Sequence, residues 1–572
     1  MVSNPFIRAV PVVAALAALV SCVGPATEKD RIVLERTGAG DGRWRATYLL
    51  GEPAGELRFR RQAGFYREAV WTIASPGWRL DRRGDDQTIV AGPDADRRRL
   101  VVEFPQHTDE LAKEYEFFAE FSDGSVAVYT GHLYLTDEPP PRPGAEDDAD
   151  FLVRVELRPR DDEQIVVRGR TARGRTVWDD PEGDGTYVYF GGIEPLETDA
   201  MIAVIDPGAP PWLRDELGRL LPEMFARYTT EFGSRLPWKP VVLFSFDGEG
   251  SGLSSGGGTL TGLVQMSARG SAWYDASPDA AEHLLYLIAH EAAHLWNGQF
   301  HPYRDDSDSW MHEGSADAFA ELALLRSGTI DAARLAERRT EALGRCIDGL
   351  RGVSLRESGT SGRFDNYYGC GNVLALWSVA ALGDAGEPDR LFDLWRAVFA
   401  HADDDGRYDR QSYFDALATL GVEAERVGEL REFLDTVHAD PAAAIRALLA
   451  RAGLRLVPLD RPVPSRRRAR ATAAVAHLMR AACDGWYSFY TEWPSIRSAT
   501  SESCEPFRAE LRIVRLEGHG IADDGDRGYD AVAERCRAGL PVRLGLDGGG
   551  AVSVPCETVL PALLPPLAVP QL

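Results

Sequence analysis

Ser277-Pro278-Asp279-Ala-Ala-Glu-His-Leu-Leu-Tyr-Leu-Ile-Ala-His290-Glu291-Ala-Ala-His294 is the stretch that decides the architecture. Its pattern predicts one helix. Ser277 suits the N-cap, Pro278 the first helical position and Asp279 the positive end of the helix dipole. Gly298 is the expected C-terminal stop. His290 and His294 stand four residues apart, so both imidazoles leave one helix face, near enough to grip a single ion. Glu291 lies one step round the helix, within reach of a water on that ion. Zn²⁺ favours imidazole nitrogen, and a catalytic zinc site takes three protein ligands while leaving a fourth position open.

A third ligand is therefore needed, and two candidates lie downstream. His301 suits the spacing H-E-x-x-H-x-x-G-x-x-H only if Gly298 and His301 each came one residue earlier, which spoils the turn that pattern needs. Glu313, in Trp310-Met-His312-Glu313-Gly314-Ser-Ala-Asp317, follows His294 after 18 intervening residues. That is room for a loop and a second helix returning beside the first. Asp317 is four residues further, on the face of Glu313, and is placed to accept the second ring N–H of a ligating histidine. His312 should point elsewhere, as a structural or pocket-lining residue. A lone H-E-x-x-H does occur by chance on buried helices, where the histidines are metal-free core residues. Glu313, its E-G-x-A context and Asp317 set this combination apart.

Taken together, these residues resemble the gluzincin peptidases. Two families are similar: aminopeptidase N, with H-E-x-x-H followed by W-x-x-E-G, and glycyl aminopeptidase, which carries a PDZ domain. His294-Leu-Trp-Asn297 resembles the H-x-W-N of the second, Glu313-Gly-Ser-Ala-Asp317 its E-G-x-x-D, and Tyr367-Tyr368-Gly369-Cys370-Gly371 the Y-Y-x-x-G of both. The resemblance spans residues 285–375. It implies one Zn²⁺ held by His290, His294 and Glu313, with Asp317 orienting an imidazole and Glu291 as general base. It also implies that Tyr368, with Tyr367 as runner-up, donates a hydrogen bond to the tetrahedral oxyanion. Read alone, that tyrosine pair is core aromatics on a helix. One departure stands out. Aminopeptidase N relatives carry G-x-M-E-N on an edge strand, where the glutamate binds the substrate's α-amine. Here the expected edge strand reads Gly262-Leu-Val-Gln265-Met266, and a neutral amide does not pair with an ammonium as a carboxylate does. Gly262 and Gln265 are the expected substrate-binding positions, where main-chain pairing would align a peptide. The implied activity is a zinc-dependent peptide hydrolase, aminopeptidase-like. An endopeptidase stays open, as does a catalytically silent peptide-binding lipoprotein of the cell envelope.

Outside this core, charge and cysteines narrow the setting. The 572 residues carry 63 basic and 88 acidic side chains, a formal charge of −25, which speaks against a nucleic-acid partner. Arg8 precedes a short apolar run ending in Leu19-Val20-Ser21-Cys22, too short to span a bilayer but suited to a signal peptide. This tetrad resembles the bacterial lipobox. It implies export, acylation of Cys22 and a lipid-bilayer anchor, on the periplasmic or cell-surface side. An ordinary signal peptide cut near Ala26 is the alternative. Without Cys22, six cysteines remain, an even set that permits three disulfides in an oxidising compartment. Their clustering favours Cys346 with Cys370, and pairing of Cys483, Cys504, Cys536 and Cys556 among themselves.

The expected fold class is multidomain α+β. Residues 1–22 are a lipoprotein signal peptide. Period-two alternation makes residues 30–198 a β-sandwich-like domain. Residues 199–330 form the thermolysin-like α+β zinc domain implied by the resemblance, and 331–460 a helical extension completing the active site. An Arg- and Pro-rich linker at 461–470 leads to a small, mostly β domain at 475–572, either PDZ-like or a disulfide-stapled cap.

Overall fold

The computed structural model describes all residues except 1–29, 38–41, 62–65, 84–85, 107–114, 138–152, 181–182, 251, 276, 384–388, 459–463, 484–488, 493, 499–503, 505, 508–509, 557–559, 561–566 and 569–572. The lipobox at 19–22 and its Cys22 lie outside the described residues.

Among the described residues, the N-terminal region holds three sheets of six, four and five strands. The three central strands of its five-stranded sheet are buried on both sides, and the sequence shows why. Strands Val126–Tyr129, Gln164–Val167 and Tyr187–Gly191 are almost continuously apolar, the composition of a sheet covered on both faces. Val126, Val128, Ile165, Val167, Val188 and Phe190 join the β-region core with Trp44 and Phe104. The alternating neighbours Ala127, Tyr129, Val166, Tyr187 and Tyr189 pack on Ile202, Val204, Val241 and Leu243 of the next unit. Period-two side-chain direction thus makes one sheet serve two cores.

That next unit is a mixed five-stranded sheet in the order Leu196–Glu197, Ile202–Ile205, Val241–Asp247, Leu263–Arg269, Ser254–Leu260. The three central strands are parallel, and Ser254–Leu260 pairs antiparallel at the edge. The strand holding Gln265 is therefore not the edge, as expected from sequence, but the one inside it. Leu263 points to the β region while Val264, Met266 and Ala268 face the helices. By alternation Gln265 shares the face of Leu263, away from the helix of the two histidines. Gly262 forms the hairpin turn with Thr261. Its φ is 72°, and a Cβ there would lie 2.5 Å from Trp238.

Helices Pro211–Glu231, Pro278–His294, Ser309–Ser327, Ala332–Gly349 and Asp365–Ala381, with four shorter ones ending at Arg451, share a single hydrophobic core with this sheet. The helical extension is thus packed into the sheet unit. The Arg-rich stretch after Pro464 is helical rather than a linker. Helix Pro464–Ala482 contributes Ala471, Val475 and Leu478 to the C-terminal core. There it packs with helix Gly525–Arg537 on an antiparallel sheet. Disulfides join Cys346 to Cys370, Cys483 to Cys504 and Cys536 to Cys556. Among the described residues, no helix is long and apolar enough to cross a membrane.

Candidate active site

The motif helix starts as its sequence dictates: Ser277 Oγ accepts the Ala280 N–H at 3.1 Å, and Pro278 opens the first turn. Its end differs from expectation. Beyond His294 the chain widens into a π turn, Leu295–Phe300, closed by the His301 N–H on the Trp296 carbonyl at 3.0 Å. Such turns recur at functional sites because they re-aim side chains. Gly298 sits inside this turn and serves a different purpose from a stop: a Cβ there would lie 2.6 Å from the His312 ring. The return helix, Ser309–Ser327, ends at Gly328 in the left-handed region.

Three atoms converge between these helices. His290 Nε2 and His294 Nε2 are 3.0 Å apart, and each is 3.3 Å from Glu313 Oε2. Their outer nitrogens fix the tautomers. His290 Nδ1 donates to Asp317 Oδ1 at 2.9 Å, and His294 Nδ1 donates to Asn297 Oδ1 at 3.0 Å. The Asn297 orientation is settled because its amide Nδ2 donates to the His312 carbonyl at 3.0 Å. Both Nε2 atoms therefore present lone pairs to each other and to the carboxylate, and Glu313 Oε2 is buried with no hydrogen-bond partner. Lone pairs so close repel unless a cation or a proton lies among them. Two imidazole nitrogens and one carboxylate oxygen brought together in this way are the donor set of a catalytic zinc. The residues present fit that ion.

Electrostatics follow from the same convergence. Burial works against charge on His290, but Asp317 and Glu313 outweigh it and hold its pKa well above the usual range. Burial likewise opposes ionisation of Glu313, and His290 and His294 overcome it, pulling its pKa well below the usual carboxylate range. A proton and a divalent cation compete for these atoms. His312 is kept neutral: burial, then His294, lowers it to about 3. It stacks on His294 at 3.9 Å and donates from Nδ1 to the Asn297 carbonyl, which also accepts from the Tyr408 hydroxyl. A second group of metal-capable side chains, His477 with Cys536 and Cys556, has both sulfurs joined in a disulfide.

The remaining candidates separate cleanly. Glu291 Oε2 accepts from the Thr259 hydroxyl at 2.7 Å. Tyr368 stacks over His290 at 5.8 Å. Tyr367 faces away, its hydroxyl accepting the Gly359 N–H and donating to the Arg356 carbonyl, both at 3.1 Å. Tyr368 reaches the site because helix Asp365–Ala381 touches the return helix glycine to glycine: a Cβ on Gly314 would lie 2.2 Å from Gly371 Cα. His301 instead stacks on Phe399 at 4.0 Å, away from the three ligand atoms. Among the described contacts, neither Gly262 nor Gln265 meets the cluster. Sequence reasoning missed two residues that do, directly or through Glu291. Asn297 was quoted only as the last residue of the H-x-W-N match and was given no role. Thr259, 32 residues before Glu291, had no local signal.

No protein-family model matches the chain, and no curated protein matches its sequence. Solved structures do. An aminopeptidase N family protein from Idiomarina loihiensis superposes with a TM-score of 0.58 at 13% identity, over 95% of this chain and 98% of that one. An M1 zinc metallopeptidase from Deinococcus radiodurans is similar at a TM-score of 0.43 and 17% identity, over 72% of this chain and 95% of its own. Along nearly its whole length, the chain has the fold of the aminopeptidase N family protein.

Proposed function

We propose that the protein is a zinc-dependent peptide hydrolase, aminopeptidase-like, with one Zn²⁺ held by His290, His294 and Glu313. The observation that carries this is the convergence of His290 Nε2, His294 Nε2 and Glu313 Oε2, with both imidazoles locked from behind by Asp317 and Asn297. Orienting partners of this kind serve a metal. Zinc in such a site supplies Lewis acidity toward a carbonyl and a nucleophilic water at neutral pH. The chain's own residues do the rest. Glu291 takes the proton of the attacking water and returns it to the leaving nitrogen. Tyr368, with its hydroxyl kept protonated by burial and nearby carboxylates, donates to the developing oxyanion.

A second reading, endopeptidase, is favoured by one observation. The edge strand reads Ser254-Ser-Gly-Gly-Gly-Thr-Leu260 and holds no carboxylate to pair with a substrate ammonium. Export and anchoring through Cys22 complete the proposal. Its supports are the lipobox resemblance and three disulfides, which persist in oxidising compartments. The test is a peptide library offered with free and with blocked N-termini, alongside zinc analysis. One zinc per chain and chelator-sensitive cleavage of free N-termini support the aminopeptidase. Equal cleavage of blocked peptides moves the assignment to endopeptidase. Zinc without any cleavage leaves the binding-protein alternative.

A further inference from the structure

We infer that Thr259, on the Gly-rich edge strand, is a positioning residue that aims the Glu291 carboxylate; this rests on the hydrolase reading above. Its hydroxyl lies 2.7 Å from Glu291 Oε2 and 2.8 Å from the Glu291 carbonyl. A hydroxyl has one proton, and the charged acceptor makes the stronger bond. One carboxylate oxygen is thereby tied to the sheet, and Oε1 is left for the water. The register makes this possible: Thr259 stands opposite Val264, on the helix-facing side of the sheet. Threonine also suits the task because its β-branch restricts χ1, so the hydroxyl is held rather than free to rotate away.

The strand is itself pinned from the N-terminal region. Tyr115 donates its hydroxyl to the Thr259 carbonyl at 3.1 Å, and its ring contacts Tyr129 of the two-faced sheet at 4.9 Å. A Cβ on Gly258 would lie 3.4 Å from the Tyr115 ring, so the last turn of the strand sits directly under it. Glu291 thus receives its orientation from a different element than the one that carries it.

The experiment compares wild type with Thr259→Val and Thr259→Ser, measuring zinc per chain, kcat and KM on a cleaved peptide. Valine keeps the shape and removes the hydroxyl; serine keeps the hydroxyl. The expected result for Thr259→Val is an unchanged zinc content and KM with kcat lowered by about ten- to a hundredfold, the scale of a misaimed catalytic group. Thr259→Ser should stay within about threefold of wild type. An active wild type whose valine variant keeps its kcat, or loses zinc or KM together with it, overturns the positioning role. So does a serine variant as impaired as valine. A wild type that binds zinc and cleaves no peptide overturns the hydrolase reading first, and this inference with it.

Discussion

Glu291 and His290 are neighbours in the chain with separable duties, and one substitution distinguishes them. Glu291→Gln keeps an oxygen acceptor for the Thr259 hydroxyl and touches none of the three donor atoms. Zinc content is expected to stay at one per chain while peptide turnover falls by about 10²- to 10⁴-fold, the usual worth of a general base. Metal analysis and a cleavage assay check this. Glu321, one turn beyond Asp317 on the return helix, carries a different prediction. Burial raises its pKa from the usual 4.5 to about 6, against the pull of Arg338 and Arg339 at 3.8 and 3.7 Å. Folding therefore takes up a proton across that window. The stability this confers is complete below about 4.5 and is lost as pH rises through about 6. The loss amounts to about 2 kcal/mol for a shift of this size. Glu321→Gln should flatten the dependence of Tm on pH between those values, as read by thermal melts.

At the scale of elements, the candidate active site depends on one close approach between helices, written as two glycines. Gly314 and Gly371 let the return helix and helix Asp365–Ala381 meet backbone to backbone. Gly371→Ala forces a Cβ to within 2.0 Å of the Trp310 carbonyl, so the helices must part. The expected cost is about 1–3 kcal/mol of stability, with kcat falling more than zinc affinity because Tyr368 rides on the displaced helix. Denaturant melts and steady-state kinetics test the pair of effects. The motif helix was legible from Ser277, Pro278 and the four-residue histidine spacing, all local rules. The π turn after His294 was not, because it exists to fit Gly298 under the His312 ring, a contact no local pattern announces. The edge strand was misplaced for a similar reason. Ser254–Leu260 is rich in Gly and Ser and shows no period-two pattern, so its neighbour looked like the better strand.

Across the whole molecule, the site depends on packing between units that are distant in sequence. The N-terminal sheet presents Tyr129, Val166, Tyr187 and Tyr189 to the strands beneath the motif helix, and Tyr115 reaches the edge strand from the same side. The Cys346–Cys370 disulfide fastens helix Ala332–Gly349 to the helix of Tyr368, closing a separation of 24 residues. Replacing both cysteines by alanine should cost about 3 kcal/mol by the loop-entropy argument. It should also depress kcat more than zinc content, since Cys370 lies two residues from Tyr368. Comparing Tm, zinc content and kcat of the double variant with wild type checks this. A variant with unchanged Tm would show that core packing alone holds the helix.

The amino-acid sequence by itself placed two imidazoles one helical turn apart and a carboxylate after 18 intervening residues, and its cysteine clusters favoured Cys346 with Cys370 while leaving the pairing of the other four open. These follow from short-range spacing, which the helix converts directly into geometry. Only the tertiary structure decided which strand forms the edge, which tyrosine faces His290 and which residue orients Glu291. Those choices depend on sheet register and on helix contacts between residues far apart in the chain. Such contacts are set by the packing of whole elements, which no local stretch encodes.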